Sequence, residues 1–203
     1  MFKKLASEAL GLSDIGVIVP ASDYNKVDAD DYLFNEDGEK IFFLIKSKKD
    51  EYCFTNLALV HVDGDSAVSS KRTIKRYDYA FYGVSNVMIE TAGTIDMDVE
   101  LKFTIGNSVN FSIDVRKSFI EQVKDIYKAL ITINKLQQRD AQARDNAMQC
   151  LNVTGQMFKL SGEVSEELVS RHFTSLLHTV NTTVLERFHR RDFAAVFERY
   201  IHN

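Results

Sequence analysis

The residue types that most often carry chemistry are scattered along this chain in a way that narrows its options. The five histidines, His61, His172, His178, His189 and His202, show no metal-like pairing, because His172 and His178 stand six apart and fall on different helix faces. No metal site and no cofactor is therefore expected. Cys53 and Cys150 lie far apart, in segments that read as a strand and a helix, so they give neither a disulfide framework nor metal spacing and point to a reducing cytoplasm. Asp96, Asp98 and Glu100 share one strand face and offer oxygen ligands to a hard cation, but a solvated face opposite a buried one accounts for them. Asp28, Asp30, Asp31, Glu36, Asp37 and Gly38 suggest a calcium loop, yet ligands and glycine are wrongly spaced, so the segment reads as a surface loop. The phosphate-cradling glycine pattern, the nucleophile elbow and the helix zinc motif do not occur. An enzyme is not expected.

The elements that hold these residues come from an ordinary globular composition. The 203 residues are 45% hydrophobic and 27% charged, with one Pro and nine Gly, which excludes disordered and collagen-like classes. A formal net charge of -4 gives no overall basic field to gather the phosphates of a nucleic acid. No apolar run approaches the roughly 20 residues of a membrane span. Leu5, Ala6, Ala9 and Leu10 follow Met1-Phe2-Lys3-Lys4, but Glu8 interrupts them, so residues 1–11 read as a short amphipathic helix ended at Gly11 and not as a secretory signal.

From about Glu39 to Val115 the patterning has period two. Met97, Val99, Leu101, Phe103 and Ile105 alternate with polar residues, as do Val109, Phe111, Ile113 and Val115, and Gly106-Asn107-Ser108 between them supplies the turn of a hairpin. Upstream, Ile41–Lys46 and Glu51–Val62 read as the first two strands, with Ser47-Lys48-Lys49-Asp50 between them. Ala67–Arg76, Ala80–Val84 and Val87–Thr91 supply three more, with Ala92-Gly93-Thr94 leading into the hairpin, for a total of seven. Phe119, Val123, Ile126, Leu130 and Ile133 then lay an apolar stripe on a helix starting near Ser118. Many short strands need closure and a cap, so a capped antiparallel barrel is the expected class.

Beyond about Asn134 the pattern is helical to the end. Gln137–Gln149 is polar and rich in helix formers, Ser165 with Glu166 and Glu167 reads as an N-cap with an acidic first turn, and Phe173, Leu176, Leu177, Val180 and Val184 form a stripe. A last helix carries Phe193, Val196, Phe197 and Tyr200. So small a helical region has little core of its own, and its stripes pack on the strands, on one another or on other copies of the chain.

The order of elements and several phrases resemble the bacterial pleckstrin-homology domain family, in its YvbH-like branch with a helical oligomerisation extension. The phrases are Cys53-Phe54-Thr55-Asn56 before Leu57-Ala58-Leu59-Val60, Ser70-Lys71-Arg72 leading to Tyr77-Asp78-Tyr79, and Ile89-Glu90-Thr91-Ala92-Gly93 with Asp96, Asp98, Glu100 and Leu101. The resemblance implies an α+β chain: a seven-stranded antiparallel barrel capped by a helix over residues 1–135, and an all-α extension over 136–203 that drives homo-oligomerisation. It favours Phe173, Leu176, Leu177, Val180 and Val184 as contacts between subunits. It also brings Lys48 and Lys49 of the first turn, beside Lys46, to the same open end as Lys75 and Arg76, where phosphorylated head groups bind in many such domains. Asp50, Glu51 and Asp78 offset that field, and the spaced cation motif of inositide-binding members is missing. The expected function is a non-enzymatic oligomeric module, cytoplasmic, that displays many copies of one surface to a protein or peptide partner. The alternative is a peripheral module that binds anionic lipid or phosphate through Lys48, Lys49, Lys75 and Arg76.

Overall fold

A computed structural model describes residues 14–64, 71–91, 98–157, 165–186 and 189–201. The expected helix over residues 1–11, the Ala92–Thr94 turn and Asp96 lie outside the described residues. Two antiparallel sheets form the strand region. The first has the order β1 (Val17–Ile18), β2 (Ile41–Lys46), β3 (Glu51–Thr55), β4 (Ala58–Gly64), β5 (Arg72–Asp78), and the second β6 (Val84–Thr91), β7 (Asp98–Ile105), β8 (Val109–Arg116). The architecture is α+β and pleckstrin-homology-like, as expected, but the described residues form eight strands in two sheets where seven were expected, β1 being the addition, and two strand limits are redrawn. The run read as one strand over Glu51–Val62 breaks at Asn56-Leu57, because the Thr55 hydroxyl accepts from the Leu57 and Ala58 amides and turns the chain. The runs Ala80–Val84 and Val87–Thr91 are not two strands, since β6 is continuous across a bulge between Ser85 and Met88 with Asn86 at φ 51°.

The sheets meet through the inner side chains of alternating strands. Phe54 faces Phe103 at 6.0 Å between ring centroids, and Tyr52 and Tyr77 both stand edge-on to Phe111, at 6.1 and 5.7 Å. Val99, Leu101, Phe103 and Ile105 of β7 and Phe111, Ile113 and Val115 of β8 are buried, so their period-two pattern is the inner face of the second sheet. Gly16 ties the sheets together, its N–H donating to Asp114 O and its carbonyl accepting from Arg116 N. A Cβ there would stand 2.7 Å from Ile45 Cγ2, so only glycine allows the crossing.

The outer face of the first sheet is also covered. The segment expected as a surface loop forms three short 3-10 turns, Ala21–Lys26, Ala29–Tyr32 and Asn35–Asp37. Val19, Val27 and Ala29 from this region are buried against Leu44, Cys53, Val60 and Val62. Glu51, itself buried, fastens the cover by accepting from the Ala29 amide at 2.8 Å and the Asp28 amide at 3.2 Å.

The chain divides into two compact units, Met1–Asn134 with Arg191–Asn203, and Lys135–Arg190. The sequence reading places one boundary at residue 135 and assigns everything after it to one extension. The C-terminal helix α3 (Ala194–Tyr200) instead stands with the strands. Phe193 N donates to Asn56 O, Phe197 stacks on Phe42 at 5.2 Å, and Tyr79 meets Phe193 edge-on at 5.8 Å. Helix α1 (Ile120–Met157) buries Val123, Ile126, Ala129, Leu130 and Ile133, and its Thr132 hydroxyl meets the Tyr200 hydroxyl at 2.9 Å. The second unit holds the rest of α1, helix α2 (Glu166–Thr179), and a wider π-type turn over Val180–Glu186.

Candidate functional site

The turn between β2 and β3 is built by Ser47, whose hydroxyl accepts from the Asp50 amide at 3.0 Å while its own amide donates to Asp50 O. This turn lifts Lys48 and Lys49 into solvent, and neither forms an ion pair among the described residues. The neighbouring cations are committed elsewhere. Lys46 bonds the buried Glu51 carboxylate. Lys75 donates to Asp63 at 2.7 Å, a bond that holds the Asp63 carboxyl below and the Lys75 ammonium above their ordinary values. Arg76 points to the opposite face of β5 from Lys75, as strand alternation requires. Its guanidinium contacts Glu39 at 2.9 Å and Asp78 at 2.8 Å and lies 4.7 Å from the Phe34 ring centre. Burial works against the charge on Arg76, but the bonds to Glu39 and Asp78 outweigh it and raise its pKa. Of the four cations assigned to ligand binding, Lys48 and Lys49 form no ion pair among the described residues, whereas Lys75 and Arg76 are held by carboxylates.

At the other end of the same sheet, a cavity of about 400 Å³ opens beside Asp78, the last residue of β5. Phe34 and Phe81 rim it, 50% and 72% exposed, with Arg76 and Arg191 in its wall. Aromatic and arginine side chains together make the composition enriched at protein interfaces. Sequence reasoning missed this end of the sheet, since Phe34 sits in the acidic segment taken as loop and Phe81 in a turn taken as strand.

The helical unit shows the clearest unsatisfied surface. Ser165 caps α2 by accepting from the Leu168 amide, and Glu166 and Glu167 occupy its first turn as expected. Along one side of this helix, Phe173, Leu176 and Leu177 are 65%, 43% and 47% exposed, joined by exposed Val169. Val180 is half-buried and Val184 is buried in its own chain, so the first three residues of the expected contact set are the ones presented. Met148 and Val153 of α1 are exposed as well. Within this unit the buried Asp140 holds Arg190 at 3.5 Å.

No group of three His, Cys, Asp or Glu side chains among the described residues is placed to hold a metal ion. His61 contacts Asp50 at 3.2 Å and stacks on Tyr52. Cys53 is buried, which pushes its thiol pKa up, and Cys150 is exposed. No helix among the described residues is long and apolar enough to cross a membrane.

Comparison with known proteins agrees with this geometry. A family model described as "Bacterial PH domain" matches residues 9–134, and one described as "YvbH-like oligomerisation region" matches residues 145–203. The chain is 51% identical over 205 residues to protein YvbH of Bacillus subtilis (strain 168), covering all of both chains. It is 29% identical to protein YjqA of the same organism over 97 residues, 48% of this chain and 76% of that one. Among solved structures it is similar to a PH-domain-containing protein from Exiguobacterium sibiricum 255-15, with a TM-score of 0.85 and 42% identity, over 93% of this chain and 100% of that one.

Proposed function

The chain belongs to the bacterial PH domain family and carries a YvbH-like oligomerisation region, and from that premise we propose that it is a non-enzymatic interaction module that self-assembles and displays many copies of its pleckstrin-homology-like surface. The observation that carries this reading is the exposed stripe of Phe173, Leu176 and Leu177. Three large apolar side chains side by side on a helix leave a patch that water solvates poorly, and a second copy is the cover the oligomerisation region supplies. Display works by multiplicity: a partner that binds one copy weakly is held by several at once, because later contacts form at high effective concentration. The partner in this reading is a protein or an extended peptide. Strands β5 and β6 each have one neighbour in their sheets among the described residues, and such edges accept an added strand.

The test is the solution mass of the full chain and of the F173E/L176E/L177E variant by light scattering. A multimer for the first and a helical, folded monomer for the second supports the reading, whereas equal masses overturn it.

The exposed Lys48-Lys49 pair favours a second reading, in which the assembly touches anionic membrane surfaces. Each lysine near such a surface contributes about 1 kcal/mol, so two are weak in one copy and gain strength from repetition. Flotation with phosphatidylserine vesicles should lose the K48E/K49E variant and retain the parent. Binding that is unchanged by the two substitutions, or absent from the parent, removes this reading.

A further inference from the structure

We propose that the outer edge of β5 takes an extended peptide as an added strand, with one large apolar side chain of that peptide entering the cavity between Phe34 and Phe81 and a carboxylate beside it meeting Arg191. This rests on the peptide-partner reading above and specifies its edge and its chemistry. Two edges, β5 and β6, are open to such a partner among the described residues. The β6 edge is broken by the bulge between Ser85 and Met88, whereas β5 pairs with β4 without a register shift and contains no Pro, so it keeps the regular backbone that native edges commonly disrupt. Its cations do not bar a strand, because Arg72, Lys75 and Arg76 lie against Asp28, Asp63 and Glu39.

The direction of the backbone groups follows from one bond. Tyr79 N donates to Leu57 O at 2.9 Å, and the register continues as Asp78 opposite Ala58, Tyr77 opposite Leu59 and Arg76 opposite Val60. In an antiparallel pair, facing residues alternately exchange two bonds and none, so Tyr77, Lys75 and Thr73 bond β4 while Arg76 and Ile74 turn N–H and C=O outward. Asp78 obeys the same alternation, since its carbonyl faces off the sheet and accepts from the Phe81 and Tyr82 amides. Neither Ile74 nor Arg76 has a backbone partner on that side among the described residues, so each offers a donor and an acceptor to an added strand.

The side chains of these outward-bonding residues stand on the face that holds the cavity, since Arg76 and Asp78 line it together with Phe34, Phe81 and Arg191. A peptide residue opposite Arg76 or Asp78 projects to the same face, with its Cβ about 4.5–5.5 Å from its neighbour's. A large apolar side chain there replaces water against the two exposed phenyl rings. Arg191 supplies the charge. It is exposed and forms no ion pair among the described residues, whereas Arg76, the other guanidinium in the wall, is already held by Glu39 and Asp78. A carboxylate two positions along the peptide shares the face of the apolar side chain and forms a charge-assisted pair with Arg191. Asp37 also lines the cavity and repels a run of acids, so the peptide carries one carboxylate there and not a polyacidic string.

Short random peptides displayed on phage, selected on the immobilised full-length protein and then synthesised with a fluorescent label, are the probe. The enriched sequences should share a large apolar residue with Asp or Glu two positions away. F81A and R191E, both at exposed positions, should keep the urea midpoint of the parent and each weaken the labelled peptides at least about tenfold in fluorescence anisotropy. N-methylation of alternate peptide amides separates strand addition from side-chain capture: one alternating set should abolish binding and the other leave it intact, because only every second N–H faces β5. Peptides that bind F81A and R191E as well as the parent, or that respond alike to both methylated sets, overturn the β5 site while leaving a peptide partner elsewhere. Absence of any enriched sequence overturns the peptide-partner reading itself, and this site with it.

Discussion

Helices α2 and α3 carry comparable apolar stripes, Phe173 with Leu176 and Leu177 in one, Phe193 with Val196 and Phe197 in the other, yet the first is exposed and the second buried. The difference lies in what holds each helix. Helix α3 has seven residues, too few to persist alone, and it exists because Phe197 stacks on Phe42 while Asn56 bonds Asp192 and the Phe193 amide. Helix α2 has 14 residues, a serine cap and two acidic residues in its first turn, so local signals support it and its apolar face remains available. A stripe in a sequence states that a face needs cover. The length and capping of the helix indicate whether its own chain must provide it.

The sharpest way to break this comparison is to make the same substitution in both stripes. F197A removes a fully buried ring from an aromatic stack and should destabilise the strand unit by about 3–5 kcal/mol in urea unfolding. F173A, measured at concentrations where copies are apart, should change the stability of the chain by less than about 0.5 kcal/mol. If F173A costs as much as F197A, the α2 stripe is covered by its own chain. A smaller effect tests surface against interior within the strand unit. Asp63 titrates below its ordinary value because Lys75 donates to it, so the pair stabilises fully above the unfolded aspartate value of about 4 and loses that contribution as pH falls through the lowered one. Both side chains are about two-fifths exposed, 41% and 39%, and solvent screening keeps the contribution under about 1 kcal/mol. D63N should therefore make the acid loss of stability slightly shallower between pH 5 and 2; an unchanged acid limb shows that the pair contributes nothing.

The sequence was most legible where one face is wet and the other dry. Strands β7 and β8 alternate cleanly because Glu100, Lys102 and Ser112 face water while Leu101, Phe103 and Phe111 face the other sheet. Where both faces are covered, the alternation disappears: Tyr52 and Phe54 turn inward and Cys53 outward beneath Val27 and Ala29, so the run shows no turn until Thr55 bends it. The bulge in β6 imitates a turn through Ser85-Asn86. The stripe of α2 was readable from periodicity, but exposure at Phe173 and burial at Val184 depend on tertiary neighbours that no spacing encodes. The ion pairs of Lys75 and Arg76 were equally hidden, since Glu39 lies 37 residues from the arginine it meets.

The bond between Asn56 and Asp192 joins residues 136 positions apart. During synthesis at about 5–20 residues per second, the strands emerge many seconds before the helix that seals Phe42 and Tyr79. Throughout that interval the helical unit is being made, while the strand unit still lacks its last piece. Closure of the strand unit thus waits until the helical unit has been made, and the strands hold Phe42 and Tyr79 uncovered until α3 arrives.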